Sequence, residues 1–325
     1  MNEEQIRPEK IFNEYLRLCE IDCLDFFSSS KKEEINCPAC NNPGDHSFNK
    51  NDFNYKVCNS CETLYVSPRP IESAFNKYYL ESQSVRYWAT TFYKETAEAR
   101  RKKIWKPKAK MILELIQRYN LSKHSVVDIG AGYGIFCEEF SRISNISITA
   151  IEPGPELAKI CQNKDIPVIN KLLQDILLEE LDGSPKVFVS FELFEHLHSP
   201  ENFLTYLFNL MQKGDFFIFT TLSSLGVDIR ALWENSKSVS PPHHLNFMNP
   251  HSIKILLNKI GLNVLDVSTP GVLDLDILLN NQDLIKDNFW KTFIKYSNQA
   301  QRSEWQAIIS KSGYSSHMMI CCQKC

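Results

Sequence analysis

Beyond residue 124 the chain alternates short, β-rich apolar runs with helical segments, and this alternation limits the possible folds more than any other feature. The runs fall at residues 125–129, 147–152, 167–170, 187–191, 216–222, 263–269 and 316–322. Strands that each hand over to a helix return in the same direction. The expected fold class is therefore α/β, a mostly parallel sheet with helices on both faces. The helix at 250–260 has the clearest limits, with Asn249 as N-cap, Pro250 at the first helical position and Gly261 just past its end. Residues 273–312 lie between the last two strands and read as a helical insertion anchored by Phe289, Trp290, Phe293, Ile294 and Trp305.

The 11 cysteines are an odd number in a chain without an export signal, which favours metal ligation over a disulfide framework. Cys37-Pro-Ala-Cys40 and Cys58-Asn-Ser-Cys61 are two CxxC pairs separated by 17 residues, and each can set two thiolates on one tight knuckle. Together they predict a tetrahedral zinc site. Four sulfurs leave the ion no open position, so the expected role is structural. Cys321, Cys322 and Cys325 follow the apolar His317-Met-Met-Ile320 and read as the end of a buried strand. The expected organisation is an N-terminal helical segment over 1–35, a zinc ribbon over 36–68, a helical linker and lid over 69–120, and a larger domain over 121–325. The basic run at 100–110 reads as a solvated helix face.

The charge balance narrows the partners. A net charge of −3 gives no overall pull toward nucleic acid or an anionic membrane, and residues 1–70 hold eight Lys and Arg against twelve Asp and Glu. No apolar run spans a bilayer, and the acidic, polar start does not resemble a signal peptide, so a cytoplasmic protein is expected.

Val126-Val-Asp-Ile-Gly130-Ala-Gly132-Tyr-Gly134 ends one strand and opens a helix, where glycines let the backbone approach a ligand. Glu152 ends the next strand, where a carboxylate can take both hydroxyls of a ribose. This pairing suits a dinucleotide or S-adenosylmethionine. Three details favour the second. Ile135 replaces the last glycine of the dinucleotide fingerprint; Asp128 would repel a pyrophosphate yet tolerate a sulfonium; and Phe191-Glu192-Leu-Phe-Glu195-His196-Leu ends the fourth strand at the ligand-binding edge.

These segments, with Ile151-Glu152-Pro153 and Pro241-Pro-His-His-Leu-Asn-Phe-Met-Asn-Pro250, resemble the class I S-adenosylmethionine-dependent methyltransferases over about residues 85–325. With the ribbon included, the chain is similar to zinc-ribbon methyltransferases of sugar and surface-polysaccharide pathways. The resemblance implies a Rossmann-like sheet of seven strands with the last antiparallel, preceded by the small ribbon and a helical segment. It also implies that Asp128 and the turn Gly130, Ala131 and Gly132 cradle the methionine part of the donor. Glu152, followed by Pro153, would hold the ribose, and Phe191 and Glu192 would border adenosine and the amino acid. The implied acceptor is a small hydroxylated or amino-bearing molecule, a nucleotide-linked sugar or glycan precursor, which places the chain in carbohydrate biosynthesis.

Removing a proton from such an acceptor calls for a base, and histidine suits neutral pH. His243 and His244 follow two prolines taken to fix an extended approach, so one of them is expected to face the site; His244 is preferred. Glu195 and His196 either take part in catalysis or order the cofactor wall. Tyr87 and Trp88 are a lid or core. An RNA methyltransferase gripping its substrate with the ribbon, and a non-catalytic scaffold that kept the fold, are the alternatives.

Overall fold

In the computed structural model, which describes residues 2–325, seven strands form the central sheet. They are β1 (Ser125–Ile129), β2 (Ile148–Ile151), β3 (Val168–Ile169), β4 (Lys186–Phe191), β5 (Phe216–Leu222), β6 (Leu262–Ser268) and β7 (His317–Lys324). Their order across the sheet is β6-β7-β5-β4-β1-β2-β3. Neighbours from β5 to β3 run parallel, while β7 inserts antiparallel to both β5 and β6. This is the seven-stranded Rossmann-like sheet, with its last strand antiparallel, that the resemblance implies. The strands lie within a residue or two of the expected runs, because the central ones, covered on both faces, read as near-continuous apolar stretches.

The pleat sorts side chains between two cores. Val127, Phe188, Phe217, Phe219, Met318 and Cys322 face one layer, completed by helices Pro200–Leu210 and Ser252–Ile260. Val126, Val187, Val189, Ile218, Met319 and Cys321 face the other, under helices Lys106–Arg118 and Ile135–Ile143. Cys321 and Cys322 are thus consecutive core residues of β7 on opposite faces. Helix Ser252–Ile260 starts two residues later than expected; the Asn249 carboxamide still accepts from the Ser252 and His251 amides, at 2.8 and 3.0 Å. Helices Asp274–Asn280, Asn288–Tyr296 and Gln299–Lys311 lie between β6 and β7.

Ahead of the sheet, helix Glu9–Phe27 leads to strands Gly44–Lys50, Phe53–Cys58 and Leu64–Val66. Asn51 and Asp52 make the first turn with φ of 47° and 62°, the left-handed pair that a two-residue hairpin requires. A fourth strand, Asn246–Phe247, comes from the far end of the chain and pairs with Leu64–Val66. Buried Arg69 fastens the junction, donating to the carbonyls of His198 and Leu245 and to Asn246 Oδ1. The residues from 83 to 118 are helical throughout, with π turns at Trp88–Phe92 and Arg101–Trp105. Among the described residues, no helix is long and apolar enough to cross a membrane.

Candidate active site

The glycine turn lies at the carboxyl edge of the sheet, where β1 stops and helix Ile135–Ile143 begins. Gly130, Gly132 and Gly134 all have positive φ, which side-chain-bearing residues adopt only at a cost. At Gly130 an added Cβ would lie 3.1 Å from Leu193, and at Gly134 only 2.6 Å from Ile166, so these two fix the turn by close packing. At Gly132 it would meet nothing within 4 Å. That glycine faces open space, a cradle for a ligand. The Ala131 carbonyl closes the turn by accepting from the Gly134 amide at 2.9 Å. Tyr133 stacks on Tyr93 with ring centroids 4.0 Å apart, which lays the helical segment over the turn.

Two buried carboxyls border this notch. Burial pushes Asp128 up to about 7, despite the Cys137 thiol that donates to it at 3.4 Å. Burial also raises Glu152, whose two oxygens accept from the Gly132 and Gly154 amides at 2.8 Å each. Neither forms an ion pair among the described residues. Desolvated acids without a resident base suit a ligand that carries positive charge, such as a sulfonium with an ammonium group. The residues therefore fit S-adenosylmethionine. Pro153 next to Glu152 is exposed, and its carbonyl accepts from the Asn170 carboxamide at 3.0 Å.

Phe191 and Glu192 end β4 beside the notch. Phe191 packs on Phe136 with centroids 4.6 Å apart. Glu192 takes φ +53°, and its Oε1 accepts from Lys108 Nζ at 2.9 Å and from Thr220 Oγ1 at 2.8 Å. Burial alone would raise Glu192, but the Lys108 charge, then that of His317, holds it well below the usual range. From this pair opens a cavity of about 300 Å³, walled by the N-terminal segment, the helix around Arg100 and the start of the 273–312 insertion. Arg7, Arg100 and Lys103 line it. A second depression, of about 510 Å³, lies around Asn145, Lys164 and Pro167 at the opposite edge of β2 and β3. Open α/β sheets hold ligands at the carboxyl edge, which singles out the smaller cavity.

The four remaining candidates gather where β4 and β5 end. Glu195 is 1% exposed and accepts from Thr221 Oγ1 at 2.8 Å, and burial pushes it up to about 8. The His196 ring lies 4.8 Å from that of His244 and 5.8 Å from that of His243. Burial holds His243 down to about 3 and His244 to about 4, and lowers His196 as well.

The family described as a methyltransferase domain matches residues 97–267, just over half of the chain. The chain belongs to this family. It is an S-adenosylmethionine-dependent methyltransferase, and no curated protein matches it in sequence. Among solved structures, the methyltransferase is similar to the plantazolicin methyltransferase BamL in complex with a triazolic desmethylPZN analogue and SAH. The identity is 14% over 77% of this chain and 93% of that one, with a TM-score of 0.49. It is also similar to a SAM-dependent methyltransferase from Archaeoglobus fulgidus, at 14% identity over 66% of this chain and 94% of the other, with a TM-score of 0.43.

Two expectations need correcting. The approach to the histidines is a turn, closed by the His244 amide donating to the Ser240 carbonyl at 3.0 Å, so the pair does not alternate across an extended chain. Both rings consequently reach His196. His243 nevertheless has its own partner, with Nε2 2.6 Å from the Tyr78 hydroxyl, and it stacks on Tyr15. His244 instead gives Nδ1 to the Ser238 carbonyl at 2.6 Å. The basic run at 100–110 is likewise only partly a solvated face. Arg101 pairs with Glu138 and Glu139, and Lys108 is buried against Glu192. Lys108 was legible in principle, since it shares a helical stripe with Ile112 and Leu115, both buried. Tyr87 and Trp88 pack with Phe12, Tyr15 and Phe92 as core.

In the methyltransferase's N-terminal sheet, the sulfurs of Cys37, Cys40, Cys58 and Cys61 all lie within 4.8 Å of one another. Cys37 and Cys61 are 3.5 Å apart, Cys40 and Cys58 3.4 Å, far beyond a disulfide bond. The residue after each pair, Asn41 and Glu62, is left-handed at φ 61° and 57°, so the two knuckles share one geometry. Amide or hydroxyl donors from Asn42, Ser60 and Thr63 reach the sulfurs. A tetrahedral ion with metal–sulfur bonds of about 2.3 Å sets its ligands roughly 3.8 Å apart, and the cluster fits zinc.

Proposed function

We propose that this methyltransferase acts on a small acceptor bearing a phosphate or diphosphate, a nucleotide-linked sugar or related glycan precursor. The observation that carries the reading is the cavity beside Glu192, where Arg7, Arg100 and Lys103 converge. Arg100 is the strongest part of it. Its Nε is buried and has no partner among the described residues, and a guanidinium in that state seeks an anion.

Bound S-adenosylmethionine supplies an electrophilic methyl group on a cationic sulfur. The chain's own residues hold and orient. Asp128, Gly130, Ala131 and Gly132 would take the methionine portion, and Glu152, oriented by the Gly132 and Gly154 amides, would take the ribose hydroxyls. Phe191 and Glu192 form the wall between donor and acceptor. The acceptor's nucleophilic atom bonds to the methyl carbon as the carbon–sulfur bond breaks, and its proton passes to an imidazole. His244 is the base in this reading, because Nδ1 is spent on Ser238 and Nε2 keeps its lone pair.

Cys37, Cys40, Cys58 and Cys61 would hold zinc as a cross-link between the two knuckles. The division of labour follows: 1–35 and 69–120 as cover, 36–68 as zinc ribbon, and 121–325 as the catalytic domain with 273–312 as its cap. Mass spectrometry of nucleotide sugars, peptides and RNA incubated with labelled methyl donor tests the reading, with methylation expected only of the first. Arg100→Gln should raise the KM for a phosphorylated acceptor about tenfold or more and leave that for the methyl donor within twofold; equal effects on both would remove the acceptor assignment.

A further inference from the structure

Glu195, His196 and His244 bring a carboxylate oxygen and two ring nitrogens within 4.8 Å of one another, well apart in chemistry from the four thiolates. Among the described residues Glu195 forms no ion pair, although only 1% of it is exposed. Its one side-chain partner is the Thr221 hydroxyl.

The groups around the trio orient it as they would orient ligands. Thr221 donates to Oε2 of Glu195 at 2.8 Å and leaves Oε1 free. The Ser238 carbonyl takes the Nδ1 proton of His244 at 2.6 Å, which fixes the tautomer with the Nε2 lone pair available. A backbone carbonyl on the far nitrogen is the common support of a metal-bound histidine. His196 spends neither ring nitrogen on a protein partner among the described residues and stands edge-on to His244, with the ring planes at 89°. The Leu245 amide also donates to the Glu195 carbonyl at 2.8 Å, so the two segments that supply the trio are tied together independently of any ion.

We propose that Glu195, His196 and His244 form a binding site for a divalent transition-metal ion. Two imidazoles and one carboxylate suit zinc, manganese, iron or cobalt, whereas the softer Cys37–Cys40–Cys58–Cys61 group selects for thiophilic ions. Three protein ligands leave positions open. Ser238 lines the cavity and meets His244 on the Nδ1 edge, opposite the Nε2 that would face the ion. What fills the open positions rests on the methyl-transfer reading: neighbouring oxygens of a hydroxylated acceptor. An ion held there would engage His244 as a ligand, leaving proton removal to solvent or another group, and would supply Lewis-acid stabilisation of the acceptor's oxyanion.

The test is a titration of the full chain with Mn2+, followed by water-proton relaxation, since this hard ion is not held by thiolates. One site is expected. It should weaken at least tenfold in His196→Ala and in Glu195→Gln, and stay unchanged in His251→Ala, which alters an exposed histidine. Zinc content should fall from two equivalents to one in the same two variants. Calorimetric binding of S-adenosylmethionine identifies the folded variants, and Glu195→Gln keeps the size of the side chain should His196→Ala fail to fold. A wild-type chain that takes neither Mn2+ nor a second equivalent of zinc, or folded variants that retain the site, would overturn the proposal. Loss of the methyl-donor reading shows differently: the wild-type chain would bind the ion but no S-adenosylmethionine.

Discussion

At the scale of single residues, the notch depends on backbone shape and on two acids. Gly132 holds φ +55° in front of open space, so Gly132→Ala costs the fold only about 1–2 kcal/mol while placing a methyl group in the cradle. S-adenosylmethionine affinity, read by calorimetry, should fall at least tenfold with a melting shift of a few degrees. Asp128 carries a pH signature. Its proton leaves near pH 7 in the free protein, and a cationic ligand favours the ionised form, so affinity should decline as pH drops below about 7 and binding at pH 6 should release a proton. Asp128→Asn should remove the dependence; proton release that persists in this variant would assign it elsewhere. These residues were legible because turn glycines and strand-end acids stand at fixed offsets in the sequence. Lys108 takes a further step, because a charge inside a basic run looks solvated until the helical stripe beneath it is traced to Ile112 and Leu115.

At the scale of elements, the ribbon and the histidine loop are one sheet. Tyr55 donates to the His244 carbonyl at 2.8 Å, and Asn249 donates to the Cys61 carbonyl at 2.7 Å. Stripping metal from the cysteines should therefore reach the acceptor site. Cys37→Ser, which breaks the cluster and leaves Glu195, His196 and His244 in place, is expected to lower the melting temperature and to reduce kcat severalfold or more, with the affinity for S-adenosylmethionine changing little, because the glycine turn ends a strand of the other sheet. Asn249→Ala should cost about 1–2 kcal/mol and move kcat the same way; an unchanged kcat in both experiments would separate ribbon from site. The parallel strands of the large sheet could be read from their apolar runs, since buried parallel strands are near-continuous apolar stretches, whereas β6, Leu262–Ser268, interrupts its run with Asn263 and Asp266. The two-residue strand Asn246–Phe247 left no such trace. Its pairing is defined only by the partner edge, and nothing within two residues can carry a period.

At the scale of the whole molecule, the insertion between β6 and β7 is tied down by acids. Asp274 accepts from Ser315 Oγ at 2.6 Å and from the Ser316 amide at 2.7 Å, while the fully buried Asp228 has no hydrogen-bond partner for either oxygen among the described residues. Burial, then the neighbouring Asp274, raises Asp228 well above the ordinary range. The folded state thus holds a proton that the unfolded chain gives up near pH 4. Its stabilising effect is complete below that pH and is lost as pH rises toward the folded-state value. Thermal melting followed from pH 5 to 9 should show a decline that Asp228→Asn flattens, by about 2–4 °C for each kcal/mol recovered. No sequence pattern announces this pair, because the two aspartates lie 46 residues apart and meet only once the cap has folded.

The shared sheet also sets an order of events during synthesis. The cysteine knuckles and their three strands leave the ribosome about 180 residues before Asn246–Phe247 is made. Until then Leu64–Val66 presents an open, apolar edge, the kind that pairs with stray strands. A nascent chain arrested before that point is the form of this protein most exposed to aggregation, and translation through residue 247 is what closes it.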